Sequence, residues 1–200
     1  MSYLDVLCVD GILGVGKTAQ VIMFRNFLNQ HKIPHKIITL ATKSVEDAKD
    51  QLKNINQYLI TNPDHIVICD GSIASSIVQD IADNMHSNHL WDKHKDTLQL
   101  YEELNSRFNF INIILTPNNL DMCDERLRKK ANMSGQIKEE LVNKERLMVI
   151  ANGLQRFNNN ILTYNIKINN INMQGHENIT DIHKKILGII GEKLQIKSPS

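Results

Sequence analysis

Two rhythms of apolar residues alternate along this 200-residue chain. Short, mainly apolar runs lie at Tyr3–Asp10, Lys36–Ala41, His65–Cys69, Ile111–Leu115 and near Ile161–Ile166. Bounded by turn residues, they predict short strands, and a run as uniformly apolar as His65–Cys69 predicts a parallel strand covered on both faces. Between them the apolar positions follow helical spacing. Val21, Ile22, Phe24, Phe27 and Leu28 predict a helix from Lys17 to about Gln30, which ends because the residue before Pro34 is pushed out of helical geometry. Ser44 is placed to cap a second helix through about Ile60, with Val45, Ala48, Leu52, Ile55 and Leu59 on one face. Ile73, Ile77, Ile81 and Met85 mark a third helix, and Asp96 to Phe108 a fourth. From Leu120 a helix runs into the basic segment Arg126–Lys130 and gives way to a loop at Asn132–Gly135. A long helix over about Ile137–Asn158 and a last one over Asn178–Leu194, with Ile182, Ile186, Ile189 and Ile190 inward, complete the pattern.

Strand and helix thus alternate five times, and neither a composition shift nor an internal repeat divides the chain. Right-handed crossovers then predict one α/β domain over residues 1–200, a three-layer α/β/α sandwich around a five-stranded parallel sheet. Ligands of such sheets bind beyond the carboxyl ends of the strands. Residues 11–18 and 70–72 both fall there.

Composition narrows the function classes. Apolar content of 42% and charged content of 22% are ordinary for a globular domain. A formal net charge of +1 offers no broad attraction for nucleic acid or an anionic membrane. No apolar run approaches the ~18 residues of a membrane span. Cys8, Cys69 and Cys123 sit in apolar segments without ligand spacing, so they are expected as buried, reduced thiols of an intracellular, cytoplasmic protein. The abundance of Asn, Ile and Lys is that of AT-rich coding, as in some large DNA viruses.

The chemistry starts at Gly11-Ile12-Leu13-Gly14-Val15-Gly16-Lys17-Thr18, a complete GxxxxGK[ST] pattern after an apolar strand and before an amphipathic helix. Gly11, Gly14 and Gly16 let the backbone turn tightly, so that amides including that of Val15 converge on an anion at a helix start. Lys17 is expected on the outer phosphates of ATP and Thr18 on Mg2+. The pattern predicts a P-loop NTPase, where the alternative is a glycine-rich turn that happens to match. The guanine-reading Asn-Lys-x-Asp tetrapeptide of GTPases is absent.

Other candidates carry alternatives. Asp70, at the end of the third strand, suits a metal or an acceptor, but Asp70 and Ser72 also suit a helix N-cap. Arg126, Arg128 and Lys130 suit a mobile cationic lid over about 126–140, although cations near a helix's end are also favoured by its dipole. His86, His89 and His94 match no closed metal site and are expected in a solvated connector. Trp91 and Tyr101 are expected to pack rather than stack on a base, and Cys69 to lie in the core.

These motifs resemble those of the deoxynucleoside kinases and thymidylate kinases, most closely the herpesvirus-type thymidine kinases. Asp10-Gly11-x-x-Gly14-x-Gly16-Lys17-Thr18 is similar to the family's loop, Ile66 to Ser75 to its third strand and turn, and Met122-Cys123-Asp124-Glu125-Arg126-Leu127 to its lid entry. The resemblance implies ATP and Mg2+ at Gly11–Thr18, Asp70 beside the metal or acceptor, and Arg126, Arg128 and Lys130 neutralising the moving phosphoryl group. It also implies a nucleoside or nucleotide acceptor near the helices after Ala41 and Ser72, and a helix-mediated homodimer. The chain departs from the family pattern at Gly71, where arginine is usual. Ala41-Thr42-Lys43-Ser44 stands in place of a Glu-Pro base, with Glu46 the nearest glutamate. Asn132 stands for one lid arginine, and Leu13 for the aspartate of thymidylate kinases. Asp5, Glu46, Asp70 and Arg128 are the candidate substitutes.

Overall fold

Six consecutive buried residues, Val6–Gly11, form the central strand β1 of the computed structural model, which describes residues 3–40, 44–83, 94–134, 144–174 and 177–191. Strand β2 is His35–Thr39, β3 Ile66–Asp70, β4 Phe110–Pro117 and β5 Ile168–Met173. They form one sheet in the order β2-β3-β1-β4-β5, with every pairing parallel. Val6 stands opposite Val67 on one side and Phe110 on the other, and this register brings Val9 level with Asp70. The carboxyl ends of β1 and β3 therefore open onto the same space.

The helices are α1 Lys17–Gln30, α2 Val45–Thr61, α3 Ile73–Asp83, α4 Lys95–Arg107, α5 Leu120–Ser134, α6 Lys144–Asn160 and α7 Ile179–Gly191. Helices α1 and α7 pack together on one face of the sheet, while α2 to α6 form a connected layer on the other. Phe24 and Leu28 fill the first interface; Leu52, Ile55, Ile73, Ile77, Tyr101 and Phe157 fill the second. Each contributes about 1.5–3 kcal/mol by leaving water. The α/β sandwich with a five-stranded parallel sheet is the architecture the alternation predicts.

The details differ at instructive places. The last strand lies at Ile168–Met173 rather than near Ile161–Ile166, and Ile161–Thr163 is a 3-10 turn at the end of α6. Ile161 and Ile166 are buried, but as continuations of helix packing; the true strand hides because β5 is an edge strand, with Asn170 and Asn172 exposed and Ile171 and Met173 buried. Helix α5 continues through Ser134, so Asn132–Ser134 is helical and not loop, with no proline before Gly135 to end it. Ile22 is exposed, because α1 buries only the narrow stripe of Gln20, Val21, Phe24 and Leu28. Ser44 caps α2 as expected, its Oγ accepting from the Asp47 amide at 3.0 Å. Tyr101 is buried, with its hydroxyl donating to Asn112 Oδ1. Burial beside Cys8 holds the Cys69 thiol well above its ordinary pKa. Met85, His86, His89, Trp91 and residues 41–43 and 135–143 lie outside the described residues. No described helix is long and apolar enough to cross a membrane.

Candidate functional site

The penultimate residue of strand β1 is Asp10, a carboxylate with no solvent exposure. Burying an unpaired charge is costly, so its partners define the local design. Oδ1 accepts from the Gly11 amide at 2.7 Å and from the Ser75 hydroxyl. Oδ2 accepts from the Ser72 hydroxyl at 2.6 Å and from the amides of Ser72 and Ser75 at 3.0 and 3.1 Å. Asp10 thus sits on the amino terminus of α3, where an anion is favoured, and fastens the loop strand to that helix. The turn that permits this is at Gly71, whose φ is +90° and whose amide donates to Val9 O at 2.8 Å. Sequence reading missed Asp10 as a site residue. The signal was an acidic residue inside an otherwise apolar strand.

The loop from Gly11 to Gly16 rises between α1 and α5. At Gly14, φ is +78° and an added Cβ would lie 2.6 Å from Cys123 O and 3.1 Å from Leu127 Cγ, so α5 rests directly on the loop. Gly16 is the N-cap of α1 and supplies no capping side chain. Among the described residues, none is recorded as accepting a hydrogen bond from the amides of Gly14, Gly16, Lys17 or Thr18. The Val15 amide makes a long contact of 3.4 Å to Ile12 O. Such a run of unengaged amides at a helix start is an anion cradle.

Lys17 is half-buried, with Nζ donating to Gly11 O at 2.7 Å and Ile12 O at 3.1 Å. Burial lowers its pKa, while the carboxylates of Asp10 and Asp70 pull it back up. Thr18 is exposed and its Oγ1 donates to Asp70 Oδ2 at 2.9 Å. Asp70 thus faces Thr18; the capping of α3 falls to Asp10 and to Ser72, whose Oγ accepts from the Ala74 amide at 3.0 Å. A hydroxyl and a carboxylate beside a phosphate cradle are the oxygen ligands that Mg2+ takes when it keeps most of its waters.

The basic segment divides. Arg126 Nη1 points at the loop, 3.5 Å from Gly14 O and 3.4 Å from Val15 O. Arg128 lies exposed and its Nε donates to Asp124 Oδ2 at 2.9 Å. Lys130 is exposed further along α5. Cys123, beneath Arg126, has its thiol pushed up to about 11 by burial, against the pull of Arg126 and Lys17. It is a neutral packing group. Asp5 lies at the opposite end of the sheet, where Oδ2 accepts from the Asn109 amide at 2.9 Å, so it is not a substitute base. Glu46 is exposed in the first turn of α2.

No protein-family model matches the sequence, and no curated protein does. Solved structures do. Deoxyadenosine kinase from M. mycoides with bound dCTP superposes with a TM-score of 0.57 at 13% identity, covering 94% of this chain and 99% of that one. The M. mycoides enzyme with bound dATP gives 0.54 at 13% identity with the same coverage. Thymidylate kinase from Candida albicans gives 0.55 at 16% identity, over 96% of this chain and 93% of its own. The chain therefore has the P-loop fold of the nucleoside and nucleotide kinases.

Proposed function

We propose that this protein transfers the γ-phosphoryl group of Mg2+-bound ATP to a deoxynucleoside, with a thymidine-like acceptor favoured by the motif resemblance to herpesvirus-type kinases. The observation that carries the proposal is the Thr18–Asp70 hydrogen bond of 2.9 Å beside the unengaged amides of Gly14, Gly16, Lys17 and Thr18. In this reading the backbone of Gly11, Gly14, Val15 and Gly16, with Lys17 and Thr18, holds the ATP phosphates, and Thr18 and Asp70 hold the metal. Bound MgATP supplies the phosphoryl group and part of its charge neutralisation. Lys17 turns its ammonium from the two carbonyls to the phosphates. Arg126 adds a guanidinium from α5, and Arg128 and Lys130 approach from its outer side. The acceptor lies between the carboxyl ends of β2 and β3 and the start of α3, and two copies pair through helices.

Phosphoryl transfer of this kind is mostly positioning and electrostatics. The test is incubation of the purified protein with labelled ATP and a panel of nucleosides and nucleoside monophosphates, against a Lys17→Ala control. Product with a nucleoside above that control supports the proposal; its absence for every acceptor overturns it.

A second reading has its own support: a kinase-fold protein that binds nucleotide or a partner without turnover. Gly71, with φ +90°, stands where the family has arginine. Of the substitute bases, Asp5 is at the wrong end of the sheet and Glu46 points to solvent. Loss of a general base costs about 10²–10⁴-fold. MgATP binding without any product is its signature. Product with monophosphates alone would indicate a thymidylate-kinase-like acceptor instead, against which Leu13 in the loop argues.

A further inference from the structure

Helix α6 does not close over the whole sheet. Between it and the ends of β4 and β5 lies a cavity of about 410 Å³, within the roughly 300–1,000 Å³ range of small-molecule sites. Its floor is apolar, made of the buried side chains of Ile12, Leu115 and Leu154. Its walls are carboxamides: Asn152, Gln155 and Asn158 from α6, Asn170 and Asn172 from β5.

Two independent periodicities bring these amides together. On α6 they recur every three residues along one face, and on β5 they alternate with Ile171 and Met173, which are buried on the other side of the sheet. The two walls meet where Asn158 Nδ2 donates to Asn170 Oδ1 at 2.9 Å. Asn158 Oδ1 is buried and accepts from no described residue, a state that a bound donor would complete.

We infer that this cavity binds a neutral nucleobase, free or as a nucleoside, at a site separate from the phosphate cradle. Among the described residues, none that lines the cavity is ionisable. Among these residues an anion finds no cation and a cation finds no carboxylate. A flat heterocycle suits the apolar floor, and its edge of neighbouring donors and acceptors matches the donor and acceptor that each carboxamide carries side by side. Ile12 connects the site to the loop, because its carbonyl accepts from Lys17 Nζ at 3.1 Å. Occupancy therefore changes triphosphate affinity, and triphosphate changes base affinity by the same factor. The inference does not depend on phosphoryl transfer.

The test uses the full chain carrying Lys17→Ala, which disables the phosphate grip and leaves the cavity lining intact. It is titrated with thymidine, deoxyadenosine, deoxyguanosine and deoxycytidine while the side-chain amide NMR signals are followed. At least one nucleoside is expected to move the signals of Gln155, Asn158 and Asn172 saturably. Gln155→Leu combined with Asn172→Leu is expected to weaken that nucleoside roughly tenfold or more. Both residues are exposed, so this variant keeps the parent's melting temperature. Three results would overturn the inference: no nucleoside moving these signals, shifts confined to residues 70–76, or a double variant that binds as the parent does. A protein that makes no phosphorylated product still gives a clear answer in this experiment.

Discussion

The two flanks of Asp70 are built differently. Toward β1 and α1, one network joins β1, the phosphate loop, α3 and α5: Asp10 to Gly11, Ser72 and Ser75, Lys17 to the loop carbonyls, Thr18 to Asp70, Arg126 to Gly14 and Val15. Toward β2 and α2, the described residues at the ends of the strand and helix are Gly71, with φ +90°, and an exposed Glu46, and neither adds a side chain to that network. A phosphate grip needs mainly backbone amides, one ammonium and one metal pair, nearly all from a single continuous segment. Acceptor chemistry needs groups from several distant segments held to a fraction of an ångström.

The largest test of that contrast is Lys17→Ala. Transfer should fall about 10²–10³-fold, with MgATP affinity falling alongside it in calorimetry. If only affinity falls and no turnover exists to lose, the gripping flank alone is functional. Asp10→Ala comes next, since it strands the buried hydroxyls and amides that the carboxylate now satisfies. A loss of about 2–4 kcal/mol in urea unfolding is expected, with Asp10→Asn intermediate.

Gly71→Ala should cost about 1–2 kcal/mol through its left-handed backbone, read as a lower melting temperature. Installing the family's arginine there carries the same strain. Arg126→Gln should lower kcat by about tenfold, while Arg128→Gln changes it less than about twofold, because Arg128 is committed to an exposed pair with Asp124. Equal effects would dissolve the distinction drawn between them. A further effect is with pH. The Cys123 thiol ionises near 9.0 when unfolded and at about 11 when folded. The unfolded chain therefore releases its proton first, and this contribution to stability is complete below pH 9 and lost as pH rises toward 11. Cys123→Ala should flatten that part of the stability curve.

How much of this was legible follows the same divide. The glycine spacing and the strand before it placed the loop from local sequence alone, because those constraints act over neighbouring residues. Asp10 was visible only as an acid in an apolar run; its partners at 72 and 75 come from a strand pairing that no local pattern encodes. The splitting of Arg126 from Arg128 depends on which face of α5 meets Gly14, a matter of helix rotation. Strand β5 was misplaced because an edge strand whose outward positions are asparagine carries little apolar signal, while Ile161 and Ile166, buried beside a helix end, imitate one.

The seating of Gly14 against the Cys123 carbonyl has a mechanical consequence. With 2.6 Å between that oxygen and the position a methyl group would take, and Leu127 packed alongside, the first two turns of α5 are seated directly on the loop. Any bend of α5 away from the loop must therefore pivot beyond Leu127. An alanine in place of Gly14 would wedge the loop and the helix apart.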